Sequence, residues 1–369
     1  MPSVSMQHNV STYSYFDTPW DMFVECEYVK QGILISNQIL CSLSNLNGIL
    51  CAYCLPFIVL FNLISNLINT VIFSYGYQRK TRQLIYLEVI ALLNLFTCLL
   101  EATLRLIPAK DLPFASNGRI FFSINNTSSL GCKLYRSALS MMNTLKWNVL
   151  MTAMLDRLLA IQFLLKCGKL PARYAWYFVM STLITAISMV IPFIMQSDWT
   201  YFYGKIVCYE RPISIFLSFY YGLVLGVCFI QTSINGLLNV VLLIKMYLWL
   251  RNRRRMTVVQ AYESNELGAC ILLLIISSTT FLLSIPGAMV MFVGISDPFT
   301  NDPIGAFTRL RVVLNLRDTF LSIIYIQSIF NTIVYACRMK QFRLLFMCIV
   351  QCRSFDTVMR SYNKSSSIH

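Results

Sequence analysis

Seven apolar stretches dominate the sequence and restrict what the chain can fold into. Each has the ~20 mostly apolar residues that a helix needs to cross the hydrocarbon core of a bilayer. Of all residues, 57% are hydrophobic and only 12% are charged. This composition predicts an all-α membrane protein, a seven-transmembrane helix bundle. The predicted spans are 49–74, 84–107, 132–165, 174–195, 213–250, 267–293 and 312–337.

The predicted spans divide the chain into four parts. They are an extracellular amino-terminal segment (1–48), the seven-transmembrane domain (49–337), a short amphipathic eighth helix (338–352) and a cytoplasmic tail (353–369). In this orientation the cytoplasmic segments and the span ends next to them carry 18 Lys and Arg against four Asp and Glu, whereas the extracellular side carries ten of each. Membrane proteins usually have their excess of Lys and Arg on the cytoplasmic side. Charge therefore predicts that the amino terminus lies outside, and we expect the protein in the plasma membrane.

Modification motifs fit the same topology. Acceptor sequons for N-glycosylation place Asn9, Asn125 and Asn126 on the outer side, although such triplets are frequent by chance. Cys348 and Cys352, after the last span, are palmitoylation candidates, with plain reduced cysteines as the equal alternative.

Four of the 13 cysteines lie on or near the predicted outer side, where thiols oxidise. Cys132 begins the third span, and Cys208 lies in the loop 196–212. A disulfide between them would tether that loop over the mouth of the bundle, and two free thiols are the alternative. A second bridge between Cys26 and Cys41 is left open, because Cys41 lies close to the membrane.

The sequence lacks the residues that common active sites need. Its only histidines are His8 and His369, so no histidine-based metal centre or Ser-His-Asp triad is available inside the bundle. A glycine-rich phosphate loop is also missing, and we expect neither a cofactor nor enzymatic activity. The net charge of +14 comes from short loops between apolar spans, which argues against nucleic-acid binding.

The third span carries a cysteine at its outer end and an acid-base pair at its inner end. Cys132 and Arg157 are 25 residues apart, roughly 37 Å of helix, which is enough to cross a bilayer and its interfaces. Ionisable residues at membrane depth are costly and usually functional. Asp156-Arg157-Leu158 resembles the Asp-Arg-Tyr motif that ends the third helix of rhodopsin-like G-protein-coupled receptors.

Other single positions strengthen this resemblance. The segment from Asn331 to Tyr335 resembles the family's Asn-Pro-x-x-Tyr, with Thr332 in place of the proline. We expect the Thr332 hydroxyl, bonded to the previous turn, to substitute for the missing proline kink. Further matching positions are Asn66 in the first span, Pro286 in the sixth and Phe342 in the eighth helix.

The resemblance implies a receptor that binds an extracellular ligand and activates a heterotrimeric G protein. In that family the arginine matching Arg157 is held at rest by its neighbouring acid, here Asp156, and by an acid on the sixth helix, for which Glu266 is the candidate. Ligand would favour a state in which the sixth helix pivots near Pro286 and releases Arg157. The basic loops would then face the G protein and anionic membrane lipids. A phosphorylated tail would recruit arrestin, but a disordered polar tail has the same composition.

One departure from the family lies at the centre of the bundle. Asn94 stands where the family places a sodium-binding aspartate, and Lys146 stands where a small hydroxyl residue completes that site. We hypothesise that the Lys146 ammonium fills the ion cavity, bonded to Asn94, Gln327 and Asn331. The alternative is a Lys146 side chain that extends toward lipid or water.

The sequence leaves the ligand class open. The long amino-terminal segment, the tethered loop and the mixed outer charges favour a peptide, as in invertebrate neuropeptide receptors of this superfamily. Alternatives are a small-molecule chemosensory receptor of the same fold, or a seven-helix transporter or channel. Structural pairing, such as Glu101 with Arg105 one turn apart, is the other interpretation of the candidate pocket charges. These charges are Glu101, Arg105, Arg136, Arg317 and Asp318.

Overall fold

The computed structural model describes residues 26, 29–32, 38–77, 80–116, 119–120, 122–124, 128–162, 170–202, 205–210, 229–253, 260–296 and 303–351. Almost all of this part is helical. In chain order the helices are α1 (Gln38–Tyr75), α2 (Arg82–Ala115), α3 (Ser129–Gln162), α4 (Arg173–Gln196), α5 (Phe229–Arg253), α6 (Gln260–Ser296), α7 (Pro303–Ile324), α8 (Ile326–Arg338) and α9 (Lys340–Val350). Two antiparallel strands, β1 (Ser197–Phe202) and β2 (Lys205–Glu210), follow α4.

Within the described residues, six helices are long and apolar enough to cross a membrane, which makes the chain a multi-pass membrane protein. They are Gln38–Tyr75, Arg82–Ala115, Arg173–Pro192, Phe229–Trp249, Cys270–Val290 and Asn315–Arg338. The third predicted span also forms a helix, α3, but its charged side chains lower its hydropathy and it is not among the six. The fifth predicted span began at residue 213, and its first part lies outside the described residues.

α3 lies at the centre of the bundle. It packs against α2, α4 and α5 and also contacts α6. α1 packs against α2 on one side and against α7 and α8 on the other. The apolar core that fills these contacts includes Phe73, Leu87, Leu150, Met154 and Leu273. Because neighbouring helices surround α3 on several sides, its charged groups need not face lipid.

The first helix begins at Gln38, ahead of residue 49, where the first span was predicted to start. Polar side chains hid this part of the helix from a hydropathy pattern. They are satisfied by contacts that only the fold provides. Asn47 is buried and its Nδ2 donates to Asn315 Oδ1 on α7 at 3.0 Å.

Aromatic packing holds α9 against the bundle. The Phe73 ring lies 5.1 Å from the Tyr335 ring and 5.5 Å from the Phe342 ring, between centroids. Tyr335 and Phe342 are themselves 5.4 Å apart. These three buried rings join α1, α8 and α9, and they explain why two aromatic residues seven positions apart were informative in the sequence.

Two disulfides lie at one end of the bundle. The predicted bond between Cys132 and Cys208 is confirmed, with Cα atoms 5.5 Å apart, and it ties β2 to the start of α3. Cys26 and Cys41, whose pairing the sequence left open, also form a disulfide. We call this the disulfide end, and the opposite end, which contains Arg157, the arginine end.

Candidate functional site

At the arginine end one carboxylate lies between two arginines. Asp156 Oδ1 accepts a hydrogen bond from Arg82 Nη1 at 2.5 Å, and Asp156 Oδ2 accepts one from Arg157 Nη2 at 2.7 Å. All three side chains are at most 5% exposed. Arg82 belongs to the first turn of α2 and was counted among the loop charges at the sequence level. The structure therefore adds Arg82 to the predicted pair.

The second predicted partner of Arg157 is Glu266. Its backbone belongs to α6, which packs against α3, but its side chain lies outside the described part of the chain. The contact between Glu266 and Arg157 therefore stays a prediction. Pro286 lies further along the same helix, where its ring removes one backbone hydrogen bond.

A row of asparagines on α1 holds α8 at two levels. Asn62 Nδ2 donates to the Tyr325 carbonyl at 2.6 Å, and Asn69 Nδ2 donates to Thr332 Oγ1 at 2.9 Å. Asn66, one of the residues matched to the family, donates to Asn62 Oδ1 at 2.8 Å and so braces the first contact. The contacts of Asn62 and Asn69 are both buried, and each joins two residues that are 263 positions apart in the chain. Equal separations are expected for two parallel helices in register.

The seventh predicted span is divided at Tyr325, between α7 and α8, although Tyr325 keeps α-helical torsion angles and donates its amide to the Leu321 carbonyl. At this residue the backbone carbonyl accepts a hydrogen bond from the Asn62 amide of α1. The expected back-bond of Thr332 is confirmed, since its hydroxyl donates to the Ser328 carbonyl at 3.2 Å. The division nevertheless lies earlier, at the level of Asn62.

Asn62→Leu tests this contact. We expect it to lower the free energy of unfolding by about 1–3 kcal/mol, because the buried Tyr325 carbonyl loses its donor. Thermal unfolding of the detergent-solubilised protein measures the effect. Asn45→Leu, an exposed position on the same helix, is the matched control. Equal melting of the two variants would contradict the role given to Asn62.

The centre of the bundle differs from the hypothesis for Lys146. Asn94 Oδ1 and Asn331 Oδ1 are buried and accept no hydrogen bond from any residue that the structure describes. The predicted bonds from Lys146 to these two amides are therefore not formed. Gln327 Nε2 donates to the Thr280 hydroxyl of α6, and the contact of the Gln327 carbonyl oxygen with Lys146 stays a prediction. An ammonium donates to an amide oxygen only when the helices bring the two groups within hydrogen-bond distance. The spacing of residues along one helix does not determine that distance.

At the disulfide end the buried Asp318 of α7 gathers three cations. Its carboxylate contacts Lys110 Nζ, Arg105 Nη2 at 3.4 Å and Arg317 Nε at 3.6 Å. Arg105 Nη1 also lies 3.6 Å from Glu101 Oε1 on the same helix. Four of the five candidate pocket charges thus contact one another, in agreement with the pairing alternative. Asp318 joins α2 to α7.

Lys110 of this network and its neighbour Asp111 were missed because the second span was expected to end at residue 107. The helix instead continues to Ala115, with π-helical hydrogen bonding over Cys98–Asp111, which includes Pro108. This continuation buries Lys110 and Asp111. Both Asp111 carboxylate oxygens lack a hydrogen-bond partner among the described residues. In the sequence, the adjacent charges Lys110 and Asp111, shortly after Pro108, could have indicated this continuation.

Arg136, the fifth candidate pocket charge, supports the tethered strand. Its Nη2 donates to the Cys208 carbonyl at 3.4 Å. One turn before, Lys133 Nζ lies 3.8 Å from Asp198 Oδ2 on β1, in a partly exposed pair. Ser129 Oγ, at the start of α3, also donates to Asp198 Oδ1 at 2.7 Å. α3 therefore holds β1 and β2 through a covalent bond and several polar contacts.

Some predicted sites need correction or lie elsewhere. Cys348 is only 2% exposed on the inner face of α9, so the helix does not present its thiol for palmitoylation. Among the described residues no three His, Cys, Asp or Glu side chains are grouped to hold a metal ion. Four candidate modification sites lie outside the described residues: Asn9, Asn125, Asn126 and Cys352.

Comparison with known proteins gives no match, either to a protein-family model or to a curated protein sequence.

Proposed function

We propose that this protein is a seven-transmembrane receptor. It binds an extracellular ligand at the disulfide end and activates a heterotrimeric G protein at the arginine end. The proposal rests on one observation about α3. At one end this helix is linked to β2 by the Cys132–Cys208 disulfide, and at its other end it carries the Asp156–Arg157 pair. A ligand that binds one conformation more tightly at the first end shifts the population at the second.

The proposal requires α3 to cross the membrane as well, in addition to the six long apolar helices. Its 34 residues extend roughly 51 Å, more than a bilayer core needs. Its position among α2, α4, α5 and α6 supports this. Such an interior location is where ionisable residues are tolerated in membrane proteins. The proposed orientation, with the disulfide end outside the plasma membrane, follows the charge bias.

We propose a neuropeptide as the first ligand class, because the amino-terminal segment is long and the tethered strand pair covers the start of α3. A second candidate is a small, mostly apolar molecule. The contacts of Arg105, Lys110 and Arg317 with Asp318, and of Arg105 with Glu101, favour it, since part of the charge at this end is already paired within the bundle.

The deciding experiment is a paired screen in cells that express the receptor with a promiscuous G-protein reporter. One arm uses a neuropeptide library and the other a library of small apolar odorants. A response to either library that is absent from cells without the receptor supports the proposal. Ligand-induced uptake or current without nucleotide exchange on any G protein would instead identify a transporter or channel.

Glu266→Ala tests the proposed resting contact with Arg157. We expect higher basal nucleotide exchange at equal surface expression, because removing the second acid favours the state in which Arg157 is released. Glu263→Ala, an acid in the same helix one turn earlier, is the control and should leave the basal rate unchanged. Unchanged or lower exchange in Glu266→Ala would contradict the contact.

A further inference from the structure

The Asp156 carboxylate is divided between two helices. A guanidinium and a carboxylate commonly form a two-bond fork, in which both oxygens face the same arginine. Here only Oδ2 contacts Arg157, while Oδ1 contacts Arg82 of α2 at 2.5 Å. Both contacts are buried, so water does not replace a lost partner easily. Arg82 and Arg157 therefore compete for one acid.

The position of Arg82 in α2 makes this competition notable. Arg82 is the first residue of the helix, after Thr81, whose side chain accepts a hydrogen bond from the Leu84 amide. A cation at a helix amino terminus is unfavourable, because the helix dipole is positive there. The contact with Asp156 offsets this cost. A neutral or acidic residue at this first helical position would suit the helix dipole better, but it would leave Asp156 to Arg157.

We infer that Arg82 is a positioning residue for the proposed coupling site. By occupying one oxygen of Asp156, it weakens the hold of Asp156 on Arg157 and sets how readily Arg157 is released. This inference rests on the proposed function. It adds Arg82 of α2 to the two acids, Asp156 of α3 and Glu266 of α6, that are proposed to hold Arg157. Arg82 acts through Asp156 and need not touch the G protein.

The first test measures basal nucleotide exchange on a promiscuous G protein in purified membranes at equal receptor density. Arg82→Gln and Arg82→Met should both lower the basal rate about tenfold, the factor that corresponds to one additional charge-assisted hydrogen bond between Asp156 and Arg157. Arg82→Lys keeps a cation near Oδ1 and should recover most of the loss. In an Asp156→Asn background, Arg82→Gln should have no further effect. Arg173→Gln, an exposed cation at the start of α4, is the matched control.

The second test needs no G protein. Phenylglyoxal modifies accessible guanidinium groups, and mass spectrometry of the digested protein reports Arg157 separately. Labelling of Arg157 should fall in Arg82→Gln and rise in Asp156→Asn. A rise in Arg82→Gln, or an unchanged level, overturns the inference, as does a tenfold loss of exchange that persists in the Asp156→Asn background.

The two tests separate the inference from the proposed function. If exchange depends on Arg157 but neither exchange nor labelling responds to Arg82, the positioning role is wrong and the receptor function stands. If no G protein responds, yet Arg157 labelling falls in Arg82→Gln and rises in Asp156→Asn, the shared carboxylate is supported and the proposed function is wrong.

Discussion

Replacing Asp318 with alanine is expected to lower the free energy of unfolding by roughly 3–5 kcal/mol, the range for removing one partner of a buried ion pair. Asp318 is 1% exposed and contacts Arg105, Lys110 and Arg317. Lys110 is equally well buried, so its charge would be left in the interior without this carboxylate. The substitution also removes the polar link between α2 and α7. Thermal unfolding in detergent measures the loss.

The surface pair of Lys133 and Asp198 provides the control for this prediction. It lies at the same end of the bundle, but its side chains are 33% and 46% exposed. Exposed pairs contribute about 0–1 kcal/mol, so Lys133→Ala should melt close to the wild type. Equal melting of Asp318→Ala and Lys133→Ala would show that the buried network does not stabilise the fold.

Arg157→Ala is expected to reduce ligand-stimulated nucleotide exchange to the level of cells that lack the receptor. The proposed G-protein contact needs a cation that leaves Asp156 on activation, and alanine supplies none. Ligand affinity should change little, because Arg157 lies at the end of α3 opposite the Cys132–Cys208 disulfide. The measurements are nucleotide exchange and ligand binding on the same membranes.

Arg173→Ala, at an exposed position of the arginine end, serves as the control for Arg157→Ala and should keep full exchange. Wild-type exchange in Arg157→Ala at matched surface expression would remove the basis for the proposed coupling site.

Local sequence signals predicted the parts of this fold that depend on residue type and spacing. Apolar length placed the long helices, and α2 begins at Arg82, close to the predicted start at residue 84. The oxidising side and the position at the start of α3 were enough to pair Cys132 with Cys208.

Contacts between distant helices were not predictable in the same way. The amide of Asn62 satisfies the carbonyl of Tyr325 on a helix far along the chain, and nothing near either residue indicates the partner. Arg82 was assigned to a loop, because a cation next to a span normally faces water. Lys110 lay outside the second span, which was predicted to end at residue 107, whereas the helix continues through Pro108 in its π-helical part.

The proposed function requires that α3 crosses the membrane despite its charges, with the disulfide end outside and the arginine end inside. Single cysteines at Arg119, between α2 and α3, and at Arg173, at the start of α4, report the two ends, since both positions are exposed. A membrane-impermeant maleimide should label Arg119→Cys in intact cells and Arg173→Cys only after permeabilisation. Labelling of both variants in intact cells would contradict this topology of α3.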